Sequence, residues 1–210
     1  MYTTVADLRA EGITVAMAAD DRLRTLVDEA SGLIDRVTGW FFDPRAATFH
    51  LDGRGTHSLE PPVPPIRLDR LTIDHHDVVL PDAVHVVGAP VGPGFDAPRI
   101  TLRRWHRFPR GTANVTAEGL WGFTEPDATP EGRTPREICR ACIMLVLRGI
   151  DPLAGSASSD ARNRWRVLEE RTRDQSYRLA GLGTTNQLTG DPEIDTILAR
   201  YRRPIGLGAG

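Results

Sequence analysis

Residues 20–42, DDRLRTLVDEASGLIDRVTGWFF, decide how the rest of the chain is read. Leu23, Leu26, Val27, Ala30, Leu33, Ile34 and Val37 recur at spacings of three and four, which gathers them into one apolar stripe of an α-helix. Asp20 and Asp21 stand in the first turn, where the positive end of the helix dipole favours acids. Gly39 is placed to stop the helix, and Trp40, Phe41 and Phe42 follow as an apolar anchor. Upstream, Thr4 is placed to cap a short helix through Glu11, which Gly12 ends.

Downstream, residues 43–127 change texture. They are rich in Pro and Gly, hold no helical period and read as strands and loops. Residues 48–51 and 56–59 flank Asp52-Gly53-Arg54-Gly55, which predicts a hairpin because Gly accepts positive φ. Pro61, Pro62, Pro64 and Pro65 interrupt any strand. Further strands are expected at 67–74, with alternation broken at Asp69-Arg70, and at 83–87, 99–103 and 113–118. Residues 88–98 read as an exposed loop.

Helix returns after residue 128. Thr134-Pro135-Arg136-Glu137 combines a cap, a first-turn Pro and a capping-box acid, and predicts a helix to about Gly149. Residues 160–175 form a charged segment expected to be helical, and 176–190 a Gly- and Thr-rich stretch expected to be irregular or β. Asp191-Pro192-Glu193 opens a last short helix through Arg202, with Ile194, Ile197, Leu198 and Tyr201 on one side. The expected fold class is therefore α+β: a helical bundle of about four helices with a β-rich insertion in the middle of the chain. Its expected parts are 1–42, 43–127, 128–190 and 191–210.

Bulk properties exclude several classes. A length of 210 residues allows one core with a substantial insertion, and a net charge of −2 argues against a general nucleic-acid coat or an anionic-membrane binder. Every basic residue is Arg, as a GC-rich coding bias would produce. No signal-peptide layout opens the chain, and its longest apolar run falls far short of the ~20 residues of a membrane span. The expected setting is a reducing cytoplasm. Cys139 and Cys142 lie in an apolar helical run without the partners of a zinc site or the preceding strand of a redox motif, and read as small buried hydrophobes.

Four stretches together resemble the head–tail connector (adaptor) proteins of long-tailed phages and related prophage or gene-transfer-agent particles. They are residues 33–42, closing on Thr-Gly and an aromatic; 51–55 running into 59–66 and the strand 68–73; 117–123 leading through Pro to the helix 135–148; and 190–204. Residues 75–115 exceed the shorter all-helical members. The resemblance implies a ring, often twelvefold, beneath a portal protein, extending the DNA channel and offering a platform to the next connector, stopper or tail protein. It implies no chemistry, no cofactor and no metal. Its setting would be the virion neck, made in the host bacterial cytoplasm, with passing double-stranded DNA touched without sequence specificity and no membrane contact. A tail-completion protein bound to the tail tube is the neighbouring reading.

Several clusters of residues admit two readings. The C-terminal helix is small enough to need a partner surface; by analogy with the family, Ile194, Ile197, Leu198, Tyr201, Arg202 and Arg203 would dock on the portal, against the plainer reading that the helix folds back on its own bundle. Arg104, Trp105, Arg107 and Phe108, in the densest basic and aromatic cluster, suit a subunit or partner interface, with a single-strand platform as the alternative. Arg164 and Trp165, in the charged stretch, suit a subunit boundary. His75, His76 and Asp77, with His85 downstream, form the best case for a small metal-dependent hydrolase, against a surface turn.

Overall fold

Helix α1 covers Val5–Ala10 and α2 covers Asp20–Thr38. The computed structural model describes residues 1–78, 80, 82–92, 97–103, 106–150 and 188–203, together with the strand backbone of 167–171 and 176–179. At α1, the Asp7 amide donates to Thr4 Oγ1 at 3.1 Å and the Thr4 amide donates back to Asp7 Oδ2 at 2.9 Å, a closed capping box. Hydrogen bonds from the Thr4 hydroxyl and amide hold the Asp7 carboxyl below the usual carboxylate range. Gly39 ends α2 in the left-handed region at φ 75°. Leu23, Leu26, Val27, Ala30 and Ile34 are buried as the stripe requires, while Leu33 and Val37 are half-buried.

Helix α3, Arg136–Gly149, buries Ile138, Ala141, Cys142 and Val146 and packs along α2. The fit is close at the end of α3: a Cβ on Gly149 would stand 2.7 Å from Leu26 Cδ2, and Arg22 donates to the Gly149 carbonyl at 3.1 Å. Helix α4, Pro192–Tyr201, packs on both α2 and α3 and buries Ile194, Ile197 and Leu198. Each fully buried Leu or Ile contributes about 2 kcal/mol.

Nine strands form three antiparallel sheets among the described residues. Strands β1 (Arg45–Gly53), β3 (Pro65–Ile73), β4 (His76–Asp77) and β7 (Gly111–Trp121) make one, in the order β1-β7-β3-β4. Strands β2 (Ser58–Leu59), β5 (Val84–Val87) and β6 (Arg99–Leu102) make the second, in the order β2-β6-β5. Strands β8 (Val167–Arg171) and β9 (Ser176–Leu179) pair with each other. The fold is therefore mixed α+β. It separates into two units, residues 1–39 with 136–210, and residues 40–135.

Strand β7 organises the larger sheet because both β1 and β3 pair with it over most of their length. Val115, Ala117, Gly119 and Trp121 alternate inward along it. Trp121 is fully buried, donates from Nε1 to the Ala47 carbonyl at 2.9 Å, and meets Phe49 edge to face at 4.8 Å.

Two expectations need correction. The hairpin around residues 52–55 does not form: β1 pairs with β7 and β2 with β6, so the loop carries the chain from one sheet to the other. Gly53 serves this loop by close approach, since a Cβ there would come within 1.8 Å of the Pro109 carbonyl. The helix expected at 160–175 is contradicted at 167–171, where the backbone is strand β8; the rest of it lies outside the described residues. The broken alternation at Asp69-Arg70 has a physical cause in the register shift between Leu68 and Arg70 against β7. Gly119 faces that irregularity, and a Cβ on it would lie 2.1 Å from the Arg67 carbonyl oxygen. A backbone carbonyl in a paired strand cannot swing aside. Gly119→Ala should therefore destabilise the protein by about 2–3 kcal/mol, read as a lower urea midpoint with little change in slope.

Candidate interaction surfaces

The C-terminal segment is held by two carboxylates. Asp191 caps α4, accepting from the Glu193 amide at 2.6 Å and the Ile194 amide at 3.2 Å. It is also buried and ion-paired with Arg148 of α3. Burial lowers the Arg148 pKa, opposed by the charges of Asp195 and Glu193. Asp195 gathers the chain before the helix, accepting from the Thr189 amide at 2.7 Å, its hydroxyl at 2.6 Å and the Leu188 amide at 3.1 Å. Exposed pairs Arg140–Glu193 at 2.8 Å and Arg200–Glu137 at 3.0 Å join α4 to α3 at the surface. Past the helix, the Arg203 amide donates to the Thr38 carbonyl at 2.8 Å, tying the chain to the end of α2.

This geometry divides the residues expected to dock. Ile194, Ile197 and Leu198 spend their apolar surface inside their own unit. Tyr201 is half-buried, and Arg202 and Arg203 are exposed. The outward side of α4 carries Glu193, Thr196, Ala199 and Arg200. Asp195 and the Arg148–Asp191 pair were not singled out from sequence, because the partner of Asp191 lies on a distant helix.

The basic cluster also divides. Phe108 is fully buried, so its ring belongs to the core of the β unit instead of an exposed contact surface. Its backbone pairs with the loop after β1: the Phe108 amide donates to the Thr56 carbonyl and the Gly55 amide to the Phe108 carbonyl, both at 2.9 Å. Arg107 is exposed and reaches the Gly55 carbonyl at 3.4 Å. Arg104, Trp105, Arg164 and Trp165 lie outside the described residues.

His75 and its neighbours form a surface turn. Asp74 and His75 have φ of 48° and 67°, the paired positive values of a tight hairpin, and Ile73 and His76 face each other across it. Asp77 accepts from Arg70 Nε at 2.8 Å, which lowers its pKa. His85 is on β5 of the other sheet. Among the described residues, no three His, Cys, Asp or Glu side chains are grouped to hold a metal ion.

Cys142 is buried beneath Ser31, while Cys139 is half-exposed; neither is in a disulfide. Desolvation pushes the Cys142 thiol up to about 11, so at pH 8 only roughly one part in a thousand is thiolate. In a Cys139→Ser variant, iodoacetamide at pH 8 should therefore leave Cys142 unlabelled in the folded protein and alkylate it in urea. A second expectation concerns α4. Asp191→Ala removes both the cap and the partner of Arg148 and should cost about 3 kcal/mol in urea unfolding, whereas Asp191→Asn keeps a capping oxygen and should cost about 1 kcal/mol less.

No family model matches the chain, and no curated protein matches it in sequence. Solved structures do match in fold. A chain from a structure described as the neck of an empty GTA (gene transfer agent) particle, computed with C6 symmetry, is 16% identical, with a TM-score of 0.59 over 99% of this chain and 92% of that one. A chain from the neck of a native GTA particle, computed with C12 symmetry, is 13% identical, with a TM-score of 0.56 over 97% of this chain and 90% of that one. The fold of this protein is thus shared, nearly end to end, with chains of particle necks.

Proposed function

We propose that this chain is a structural head–tail connector (adaptor) subunit of a phage-type or gene-transfer-agent particle, a helical bundle with a β-rich insertion that works through surfaces and not through catalysis. The observation that carries this reading is the near end-to-end fold likeness to neck chains at a TM-score of 0.59. The C6 and C12 symmetries of those necks support a ring of copies, each burying two different faces head to tail. The ring would sit in the virion neck beneath the portal, after synthesis in the host bacterial cytoplasm. It would extend the DNA channel and present a platform to the next stopper or tail protein.

Portal docking is assigned to the C-terminal segment in a narrowed form. Ile194, Ile197 and Leu198 fix α4 on α2 and α3, and Tyr201, Arg202 and Arg203 are offered to the partner. A rigid, pre-packed helix loses less entropy on docking than one that folds on contact.

The test is binding of purified protein to portal-bearing capsids that lack tails, followed by sedimentation and electron microscopy. Saturable binding at one vertex is expected. The Arg202→Glu protein should bind at least about tenfold more weakly, roughly 1.4 kcal/mol, with an unchanged melting curve. Deleting 191–210 would be a poor test, because it strips Ile194 and Leu198 from the core. Binding to purified tail ends alone would move the chain to a tail-completion role. Binding to neither would end the connector reading.

A further inference from the structure

The larger sheet of the β unit has two unlike edges. At the β3 edge, β4 covers Thr72 and Ile73, the Val78 amide donates to the Leu71 carbonyl at 2.8 Å, and the Ala89 amide donates to the Pro65 carbonyl at 2.9 Å. Two register shifts and the ion pairs Arg67–Asp69 and Arg70–Asp77 lie along the same strand. Bulges, charges and a covering segment are the means by which a sheet blocks pairing with another chain. Strand β1, at the other edge, has none of them between Ala46 and Leu51. Its register against β7 is unbroken there, and the stretch holds no Pro, Asp, Glu, Lys or Arg.

Alternation along the strands decides which groups of β1 are open. The Phe123 amide donates to the Phe41 carbonyl, just ahead of β1, at 2.8 Å, and the Gly122 amide to the Pro64 carbonyl, just ahead of β3, at 3.0 Å. At the other end of β7, the Asp74 amide donates to the Asn114 carbonyl at 2.9 Å. Backbone groups point to alternate sides along a strand, so odd-numbered residues of β7 face β1 and even-numbered ones face β3. Ala46, Thr48 and His50 stand opposite Leu120, Glu118 and Thr116, and their N–H and C=O groups therefore point outward. Among the described residues these groups have no partner. All three side chains are exposed, and His50 is held down on the sheet by Thr116 Oγ1, 3.1 Å from its Nδ1.

We propose that this open edge pairs, antiparallel, with the same edge of a second copy of the chain, about a two-fold axis at Thr48. Full pairing needs Ala46 opposite His50 of the second copy and Thr48 opposite Thr48, so that each outward residue exchanges both of its bonds. Side chains suit that register: small Ala46 meets the His50 ring, the two threonines meet each other, and no like charges face. A second copy cannot add its β3 side here, because that edge is closed by β4 and by the Ala89–Pro65 bond. The contact is therefore isologous and stops at two copies. It does not rest on the connector reading: a ring of identically oriented copies does not contain such a two-fold, so this is a contact of the subunit in free solution.

Sedimentation equilibrium of the full chain should show monomer and dimer with a dissociation constant on the order of 100 μM, since the contact is small. Thr48→Lys sets two ammonium groups opposite each other at the axis and should weaken dimerisation about three- to tenfold. Its melting curve should not change, because the Thr48 side chain is exposed. Thr48→Pro removes the outward N–H from both copies, which an edge strand tolerates, and should weaken dimerisation at least about tenfold. Register is read by crosslinking in a Cys139→Ser background. Thr48→Cys should join two chains when oxidised glutathione is added, the two thiols becoming a disulfide as the glutathione disulfide is reduced. Ala46→Cys should not, because the two-fold register holds those positions roughly 14 Å apart. Wild-type protein that stays monomeric up to about 500 μM overturns the proposal. So do dimers that Thr48→Lys and Thr48→Pro leave unchanged while folded, and so does crosslinking through Ala46→Cys in place of Thr48→Cys. Capsid-vertex binding by the wild type tests the connector reading separately, so the two can fail independently.

Discussion

Helix α2 cannot bury its apolar stripe until α3 arrives, and the entire unit of residues 40–135 stands between them in the chain. Leu26 packs at Gly149, and Ser31 lies 3.8 Å from the Cys142 sulfur. The N-terminus joins the same contact, with the Tyr2 amide donating to Ser31 Oγ at 3.3 Å and its hydroxyl bonded to Asp35. Helix α4 then closes over both partners. Closing a longer loop costs only about 0.6 kcal/mol for each doubling of length, so a whole β unit can occupy the gap between α2 and α3 without forfeiting their packing. Its strands pair among themselves.

How much was legible in the sequence follows from how local each signal is. Helices α1, α2 and α4 stand within a residue of their expected ends, because caps such as Thr4 and Asp191, the stop at Gly39 and the spacing of Leu23, Leu26, Ile34 all lie within the element they define. Strands were also found, at 84–87 and 99–102, from β-branched residues between turns. Their partners were not. Residues 48–51 face 115–118 across more than sixty positions of sequence, and nothing near Asp52-Gly53-Arg54-Gly55 distinguishes a hairpin turn from a crossing between sheets. The candidate site was less legible still. An aromatic among arginines reads as an interface from spacing alone, yet Phe108 is core, and its backbone bonds to Gly55 and Thr56 join two loops that are far apart in the chain.

Arg45, Arg67, Arg70 and Arg133 fold onto carboxylates two to eight residues away in the chain. Such exposed pairs contribute little to stability, about 0–1 kcal/mol each, but they neutralise the surface they occupy. The buried Arg148–Asp191 pair works differently. Burial penalises both charges and their mutual attraction offsets that cost, so losing one partner strands the other charge against a packed helix.

A fold shared at 16% identity means that few side chains are common, so the likeness resides in the placement of elements and in the pattern of burial. Fold alone does not assign function; surfaces do. The likeness therefore separates two sets of residues, those that set the packing and those that lie on the surface. Leu26, Ile34, Ile138, Trp121 and Ile194 must preserve volume and apolarity, and any comparable packing will serve. Arg54, Arg107, Arg110, Arg202 and Arg203 are exposed and bear on no core volume. Exposed charge of this kind can change without disturbing the packing that sets the fold, so likeness of fold does not by itself extend to these side chains.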